Sequence, residues 1–337
     1  MEINADLELG RQFMAENYPD FKVLEMEVLQ GGGIKTVWKA VTAEGTFCLK
    51  RIRKPLPVVE STTAAQVYLA NKGALVADII PTKEGNRFFV YEGYAVVLYS
   101  WVDGTDLEME ENKEHLISGL KGLAQFHKDS VGFVPPEGSN FYNRMGKWPE
   151  HYEGMLNEFK EWKEAAKSED TSFNRIYIKI ADNIIFMAEK ALALLNSSCY
   201  SKWVEEIGDR GFLAHQDYGK GNALATEKGV YVLDLDNLAY DIPIRDIRKL
   251  IFKRMKELGN WDRTELEELI HVYTSVNPLT EEQIQLIYID MLFPDKFYGY
   301  VKKPFRMGET GDAQKLIKTY KLEADKMPVL KQVLKLD

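Results

Sequence analysis

The stretch His215-Gln216-Asp217-Tyr218-Gly219-Lys220-Gly221-Asn222 is the point from which the rest of the chain can be read. It follows Phe212-Leu213-Ala214 and precedes Gly229-Val230-Tyr231-Val232-Leu233, two short apolar runs of strand character. The second run ends in Asp234-Leu235-Asp236. Phosphoryl transfer from ATP asks little covalent chemistry of a protein. It needs one carboxylate to orient an acceptor hydroxyl and take its proton, and oxygen ligands for Mg2+. Mg2+ takes one or two carboxylates and completes its shell with substrate phosphates and water. A loop bearing Asp and, five residues on, Asn, followed by a hairpin strand ending in Asp, supplies that set. The bland alternative is that these acids only cap turns and helices. It would suffice for a single Asp, but it does not account for the ordered set.

The pattern HxD-x4-N, followed by a strand and an Asp-x-Asp pair, resembles the catalytic motifs of the aminoglycoside phosphotransferase and choline kinase family. That resemblance implies an α+β, protein-kinase-like two-lobed fold. Its N-terminal lobe is small and β-rich with one main helix, and its larger C-terminal lobe is mostly helical. Residues 1–102, hinge included, would form the ATP-binding lobe, and residues 103–337 the helical lobe with the catalytic and metal-binding loops. Carried over by position, Asp217 is the expected catalytic base and Asn222 and Asp234 the expected Mg2+ ligands. Asp236 is a further metal or water ligand. Arg245-Asp246-Ile247 matches a later motif of the family, whose Asp braces the catalytic loop.

Upstream, the segment order is strand, glycine turn, strand, strand, helix, strand, strand. Residues 23–29 are followed by Gly31-Gly32-Gly33, then by residues 37–41 and, after Gly45, by residues 47–52. Residues 59–72 have helical spacing, and residues 87–90 and 94–99 read as further strands. Without a Cβ, the backbone N–H groups of Gly31, Gly32 and Gly33 can approach phosphate oxygens, although most glycine turns merely turn. Lys50 on the third strand matches the lysine that contacts the ATP α- and β-phosphates in kinase folds, although an isolated strand lysine is normally solvated. Tyr99-Ser100-Trp101-Val102-Asp103-Gly104 resembles the hinge, with the backbone of Ser100 and Val102 on the adenine edge. A simple strand end and turn is the competing reading.

Leu123-Ala124-Gln125-Phe126-His127 resembles a family helix in which the histidine is structural. Gly33-Ile34-Lys35-Thr36 lacks the glycine before lysine that a Walker loop requires. Two departures stand out. Lys35 occupies a loop position where many relatives carry Asn. The helix after Lys50 has Thr62, Thr63 and Gln66 on its nearer turns and only an early Glu60 to pair with that lysine.

Beyond Gly104, residues 115–128, 150–167, 176–195, 263–275 and 281–292 carry helical periodicity. The acidic run at 108–114 reads as a solvated helix start. With 337 residues, 45% of them hydrophobic and 28% charged, the chain suits two packed lobes of a soluble protein. A net charge of -9 argues against general nucleic-acid binding. Cys48 and Cys199 form no metal or disulfide framework. Met1-Glu2-Ile3-Asn4-Ala5-Asp6 has no signal-peptide character, and no apolar stretch is long enough for a bilayer. Cytoplasmic synthesis without a membrane anchor is expected.

Gly146-Lys147-Trp148-Pro149, the HQDYGKGN wording, Val230–Asp236 and Arg245-Asp246-Ile247-Arg248-Lys249 are similar to CotS-type spore coat proteins, which include a YtaA-like branch. This resemblance implies a place in the spore coat, with other coat proteins as partners. Two hypotheses follow. One is a phosphotransferase using ATP and Mg2+ on a small-molecule hydroxyl acceptor. For it, Asp241 and Asp246 suggest an acidic wall suited to a cationic acceptor. The other is a structural coat protein that reuses the fold.

Overall fold

The run Tyr94-Ala95-Val96-Val97-Leu98-Tyr99-Ser100 has no polar face, so a strand made from it must be covered on both sides. In the computed structural model, which describes residues 2–31, 35–208 and 211–336, that is its situation. The strands β1 (Val23–Gln30), β2 (Val37–Thr42), β3 (Gly45–Ile52), β4 (Ile79–Ile80), β5 (Phe89–Tyr91) and β6 (Tyr94–Ser100) form one antiparallel sheet. The order is β1-β2-β3-β6-β4, with β5 also on β6.

Helix α1 (Glu2–Asn17) lays Phe13 and Met14 against Trp38, Leu49, Val96 and Leu98 on one face. Helix α2 (Leu56–Asn71) lays Val59 against Ile52, Ala95, Val97 and Tyr99 on the other. Side chains alternate along β6, so its odd and even residues fill two different cores. The strands other than β4, and α2, were expected. The sequence reading assigned no helix to residues 2–17, because their apolar positions are few. Leu7, Gly10, Phe13 and Met14 share one face, and the close approach at Gly10 completes it. A Cβ there would sit 2.6 Å from Met26 Sδ and 2.8 Å from the Trp38 ring.

Two small sheets follow. Strand β7 (Thr105–Asp106) pairs with β10 (Ala223–Thr226), which forms a hairpin with β11 (Gly229–Val232). Strand β12 (Ala239–Tyr240) lies between β8 (Tyr142–Asn143) and β9 (Leu213–Ala214). Helix α3 (Lys113–Ser130) backs this region: Tyr218 donates its hydroxyl to Gly119 O at 2.9 Å. Gly122 lies so close to the hairpin that a Cβ would fall 2.7 Å from Val230 Cβ.

By packing, the described residues divide into two compact units. Unit 1 comprises residues 1–108, 114–143 and 209–241, and unit 2 residues 109–113, 144–208 and 242–337. This partition places residues 114–143 and 209–241 in one unit with the N-terminal sheet, and Val232 N donates to Leu75 O at 2.8 Å within it.

Unit 2 is helical: α4 (Trp148–Ala165), α5 (Ser172–Ser197), α6 (Tyr200–Ile207), α7 (Ile244–Leu258), α8 (Arg263–Thr274), α9 (Glu281–Leu292), α10 (Asp295–Met307), α11 (Ala313–Ala324) and α12 (Met327–Leu334). Caps explain several starts. Thr171, Asp262 and Thr280 each accept a backbone N–H of the first turn, and Thr280 with Gln283 forms a full capping box. Periodicity located α4, α5, α8 and α9 but not α6, α7 or α10–α12. Helices α6 and α12 span only eight residues each, and Pro304 interrupts α10. None of the described helices is long and apolar enough to cross a membrane.

The acidic run at 108–114 is a solvated helix start only at its end, where Glu114 is exposed in the first turn of α3. Helix α3 begins only at Lys113, and within unit 2 Glu110 is paired with Lys253 while Arg254 donates to Glu111 O at 3.3 Å.

Candidate active site

Lys50 follows Leu49 on β3, so strand alternation turns it away from the α1 core and onto the side of Cys48 and Ile52. There its ammonium meets Asp234 Oδ1 and Asp236 Oδ2, each at 2.6 Å. The two acids reach one nitrogen because the chain turns sharply after Leu233. Asp234 adopts the left-handed region, at φ 58° and ψ 60°, and a single 3-10 turn (Leu235–Asn237) follows. Asp tolerates that conformation better than most residues, though it still costs about 1–3 kcal/mol, which the ion pair offsets.

Burial alone would depress the Lys50 pKa, but the carboxylates of Asp236 and Asp234 outweigh it and hold the ammonium above its ordinary range. Burial would raise Asp234, yet Lys50, assisted by Lys35, keeps that carboxyl below its ordinary range. Asp236 lies deeper. Burial raises its pKa, and the neighbouring Asp234 charge adds to the rise against the pull of Lys50.

The residues of the 215–222 loop are held by hydrogen bonds between side chains and backbone. Asp217 N donates to His215 Nδ1 at 3.2 Å, so the proton of that ring lies on Nε2, which donates to Leu233 O at 2.8 Å. His215 is fully buried, with Phe126 and Tyr218 edge-on to its ring. It ties the loop to the strand that ends in Asp234. Asn222 Nδ2 donates to Asp217 O at 2.9 Å. That leaves the amide oxygen of Asn222 as its donor atom for a cation. Asp217 itself is exposed.

A cavity of about 370 Å3 within unit 1 gathers Lys50, Asn222, Asp234, Asp236, Ser100 and Val102, with Leu29, Val37, Leu224 and Leu233 as apolar walls. Asp217 and Gly31 are not among the lining residues. Gly32 and Gly33 lie outside the described residues. Ser100 N donates to Asp78 O at 2.8 Å, and Ser100 Oγ accepts from Asp78 N at 2.9 Å. Its carbonyl is therefore the backbone group left to meet a ligand. No group of three His, Cys, Asp or Glu side chains is gathered for a metal among the described residues. Two carboxylates and an amide oxygen on one cavity nevertheless fit Mg2+, which takes few carboxylates when phosphates share its shell.

Several details were not foreseen. Glu60, the one carboxylate offered as a partner for Lys50, is engaged by Arg87 instead, and Arg87 Nε also donates to Thr63 Oγ1 at 3.2 Å. Gln66 is buried, lines the cavity and donates to Ala77 O at 2.6 Å. Asp106 Oδ1 accepts from Gly221 N at 2.8 Å, which pins the 215–222 loop to β7. Only its place just beyond the hinge could have hinted at that. Lys35 lines the cavity and lies 3.4 Å from Asp234 Oδ2. Asp241 and Asp246 are fully buried, so they form no acidic wall for an acceptor. The Asp241 N–H is bonded to Phe212 O at 3.2 Å.

A β-sheet N-terminal region joined to a larger helical part is the protein-kinase-like fold of small-molecule phosphotransferases. The chain superposes on an aminoglycoside phosphotransferase from Alicyclobacillus acidocaldarius with a TM-score of 0.75 and 16% identity, covering 93% of this chain and 92% of the other. It matches the amicoumacin kinase hAmiN, solved with AMP-PNP, Ca2+ and Ami, at a TM-score of 0.61 and 16% identity over 97% of each chain. Choline kinase from Cryptosporidium parvum Iowa II matches at a TM-score of 0.55 and 14% identity, over 99% of this chain and 98% of that one. At these identities the likeness is one of fold.

The chain belongs to the family described as "Spore coat putative kinase YutH", whose model matches residues 40–334. It is also 28% identical over 282 residues to spore coat protein S of Bacillus subtilis (strain 168), covering 83% of this chain and 80% of the relative. The coat-protein resemblance therefore holds, with YutH as the branch the family model describes.

Proposed function

We propose that this protein binds Mg-ATP in the unit 1 cavity and transfers the γ-phosphoryl group to a hydroxyl of a small molecule, in the setting of the spore coat. The convergence of Lys50, Asn222, Asp234 and Asp236 on one cavity supports the reading most directly. In it, the Ser100 carbonyl and Val102 N–H meet the adenine edge between the apolar walls. Lys50 exchanges its carboxylates for α- and β-phosphate oxygens. Asn222 Oδ1 and Asp234 hold the metal, with Asp236 completing the set directly or through water. Bound Mg2+ supplies charge neutralisation across the phosphate oxygens. Asp217, exposed on the same loop, accepts the proton of the acceptor hydroxyl. The hydroxyl oxygen bonds to the γ-phosphorus as the bond to the ADP oxygen breaks. Assembly with other coat proteins is the matching proposal for partners, drawn from the family and from the coat relative.

A second reading is a coat protein that keeps the fold without turnover. It is favoured by one observation: Lys50 has no glutamate from α2 to hold it ready, since Glu60 is engaged by Arg87.

Titration of the purified protein with ATP and Mg2+ tests both readings. Under the kinase reading, Asp234→Asn weakens Mg-ATP binding, while Asp217→Asn binds normally but loses transfer and slow ATP hydrolysis. Binding by the wild type with no turnover on any screened hydroxyl compound, and none above the Asp217→Asn background, supports the second reading. Absence of Mg-ATP binding at millimolar concentration overturns the first.

A further inference from the structure

Lys35 stands where the chain enters β2, and its ammonium lies 3.4 Å from Asp234 Oδ2. Asp234 is thus attended by two cations, with Lys50 on its other oxygen at 2.6 Å. The two lysines are not equivalent. The Lys50 side chain is 9% exposed and is shared with Asp236, whereas that of Lys35 is 41% exposed and its contact is long. Both line the cavity. Two ammonium groups and two carboxylates sum to zero, so the cavity is electrically satisfied in this arrangement. A divalent cation arriving alone meets a carboxylate whose two oxygens both face ammonium groups. A polyphosphate arriving with the cation offers those ammonium groups new oxygens.

We propose that Lys35 is a binding residue for the distal phosphates of the nucleotide, and that until they arrive it guards Asp234 against metal alone. The inference rests on the Mg-ATP reading of this cavity. A partly exposed ion pair at 3.4 Å is weak, and the four-carbon stem of lysine swings freely, so the exchange of partners costs little. Lys35 and the metal compete for the same carboxylate, while Lys35 and the phosphates attract. Phosphate and metal binding are then positively coupled, and reciprocally so. A lysine that was merely solvated would affect neither ligand.

The test uses the full chain with Lys35→Ala and Lys35→Gln, with Mn2+ alone, AMP, ADP and Mg-ATP as probes followed by calorimetry, and with AMP affinity and circular dichroism as controls for folding. Two opposite shifts are expected. Mn2+ alone binds several-fold more tightly to the variants. Mg-ATP binds about tenfold more weakly, as loss of one charge-assisted contact implies, while AMP is unchanged. Lys35→Arg retains wild-type behaviour for ATP. If the wild type binds Mg-ATP and the variants keep both its ATP-to-AMP affinity ratio and its Mn2+ affinity, the role of Lys35 is overturned and the nucleotide reading stands. If the wild type binds no nucleotide at all, both fall together.

Discussion

Lys50 concentrates the chemistry of unit 1, because one nearly buried ammonium satisfies two carboxylates. Removing a single member of such a group leaves charge without compensation, which costs about 3–5 kcal/mol. Lys50→Met should therefore lose Mg-ATP binding and also lose stability at neutral pH. With the ammonium gone, Asp234 and Asp236 face each other. Like charges raise the pKa of the pair, so the folded variant takes up a proton more readily than the unfolded chain. The stability penalty should accordingly shrink as pH falls from 8 to 5. Urea unfolding of both proteins at the two pH values measures it, and a penalty that does not change with pH would contradict this account. Lys50 was legible in the sequence from its strand and its place ahead of the catalytic island. Its carboxylate partners were not, since Asp234 lies 184 residues away and reaches it only through a left-handed turn.

The elements of unit 1 divide in the same way. Strand β6 announced itself by an unbroken apolar run, and β11 by a short apolar run after Gly229; β10 was read only as part of the island. Helix α1 did not, because its apolar face is short, Leu7, Phe13 and Met14, and is completed by the close fit of Gly10 over Trp38. Gly122 makes a comparable close approach, between α3 and β11. Gly122→Ala should force the hairpin that carries Asn222 and Asp234 away from α3, at a cost of about 1–3 kcal/mol for overpacking. Urea midpoints would show the loss. Mg-ATP affinity, measured beside them, should fall with it, whereas Gly154→Ala inside α4, with nothing within 4 Å of the added methyl, should raise the midpoint through helix propensity, by about 0.5–1 kcal/mol, and leave the affinity unchanged.

The molecule as a whole carries a net charge of -9, but its response to acid depends on buried groups more than on that total. In unit 2, Arg248 is held by Asp290 Oδ2 at 2.6 Å and by Asp295 Oδ2 at 3.0 Å, with Tyr152 donating to Asp290. Burial would raise the Asp295 pKa, but the Arg248 guanidinium overrides it and holds the carboxyl well below its ordinary value of 3.8. A depressed acid stabilises the fold above its unfolded pKa, and that stability drains away as pH falls toward the folded value. Asp295→Asn should cost about 1 kcal/mol at pH 7, because the carboxylate is partly exposed and Arg248 keeps Asp290 as a partner. The gap from wild type should close below about pH 4, where the wild type loses the same interaction. Unfolding midpoints at pH 7, 4 and 3 follow this directly, and a gap of constant size would contradict it.

Local order carried a great deal. Hydrophobic periods, glycine spacing and the HQDYGKGN loop depend on neighbours within a few residues, so the sheet, the long helices, the catalytic island and the kinase-like class could be read along the chain. Pairings between distant segments could not, because charge and close packing act through space and leave no fixed spacing in sequence. The fold placed Glu60 on Arg87, Asp106 under the catalytic loop, Asp241 and Asp246 in the interior, and Lys35 beside Asp234. The HQDYGKGN loop therefore identified the kind of fold, while tertiary contacts between remote residues set which charges its cavity presents to a ligand.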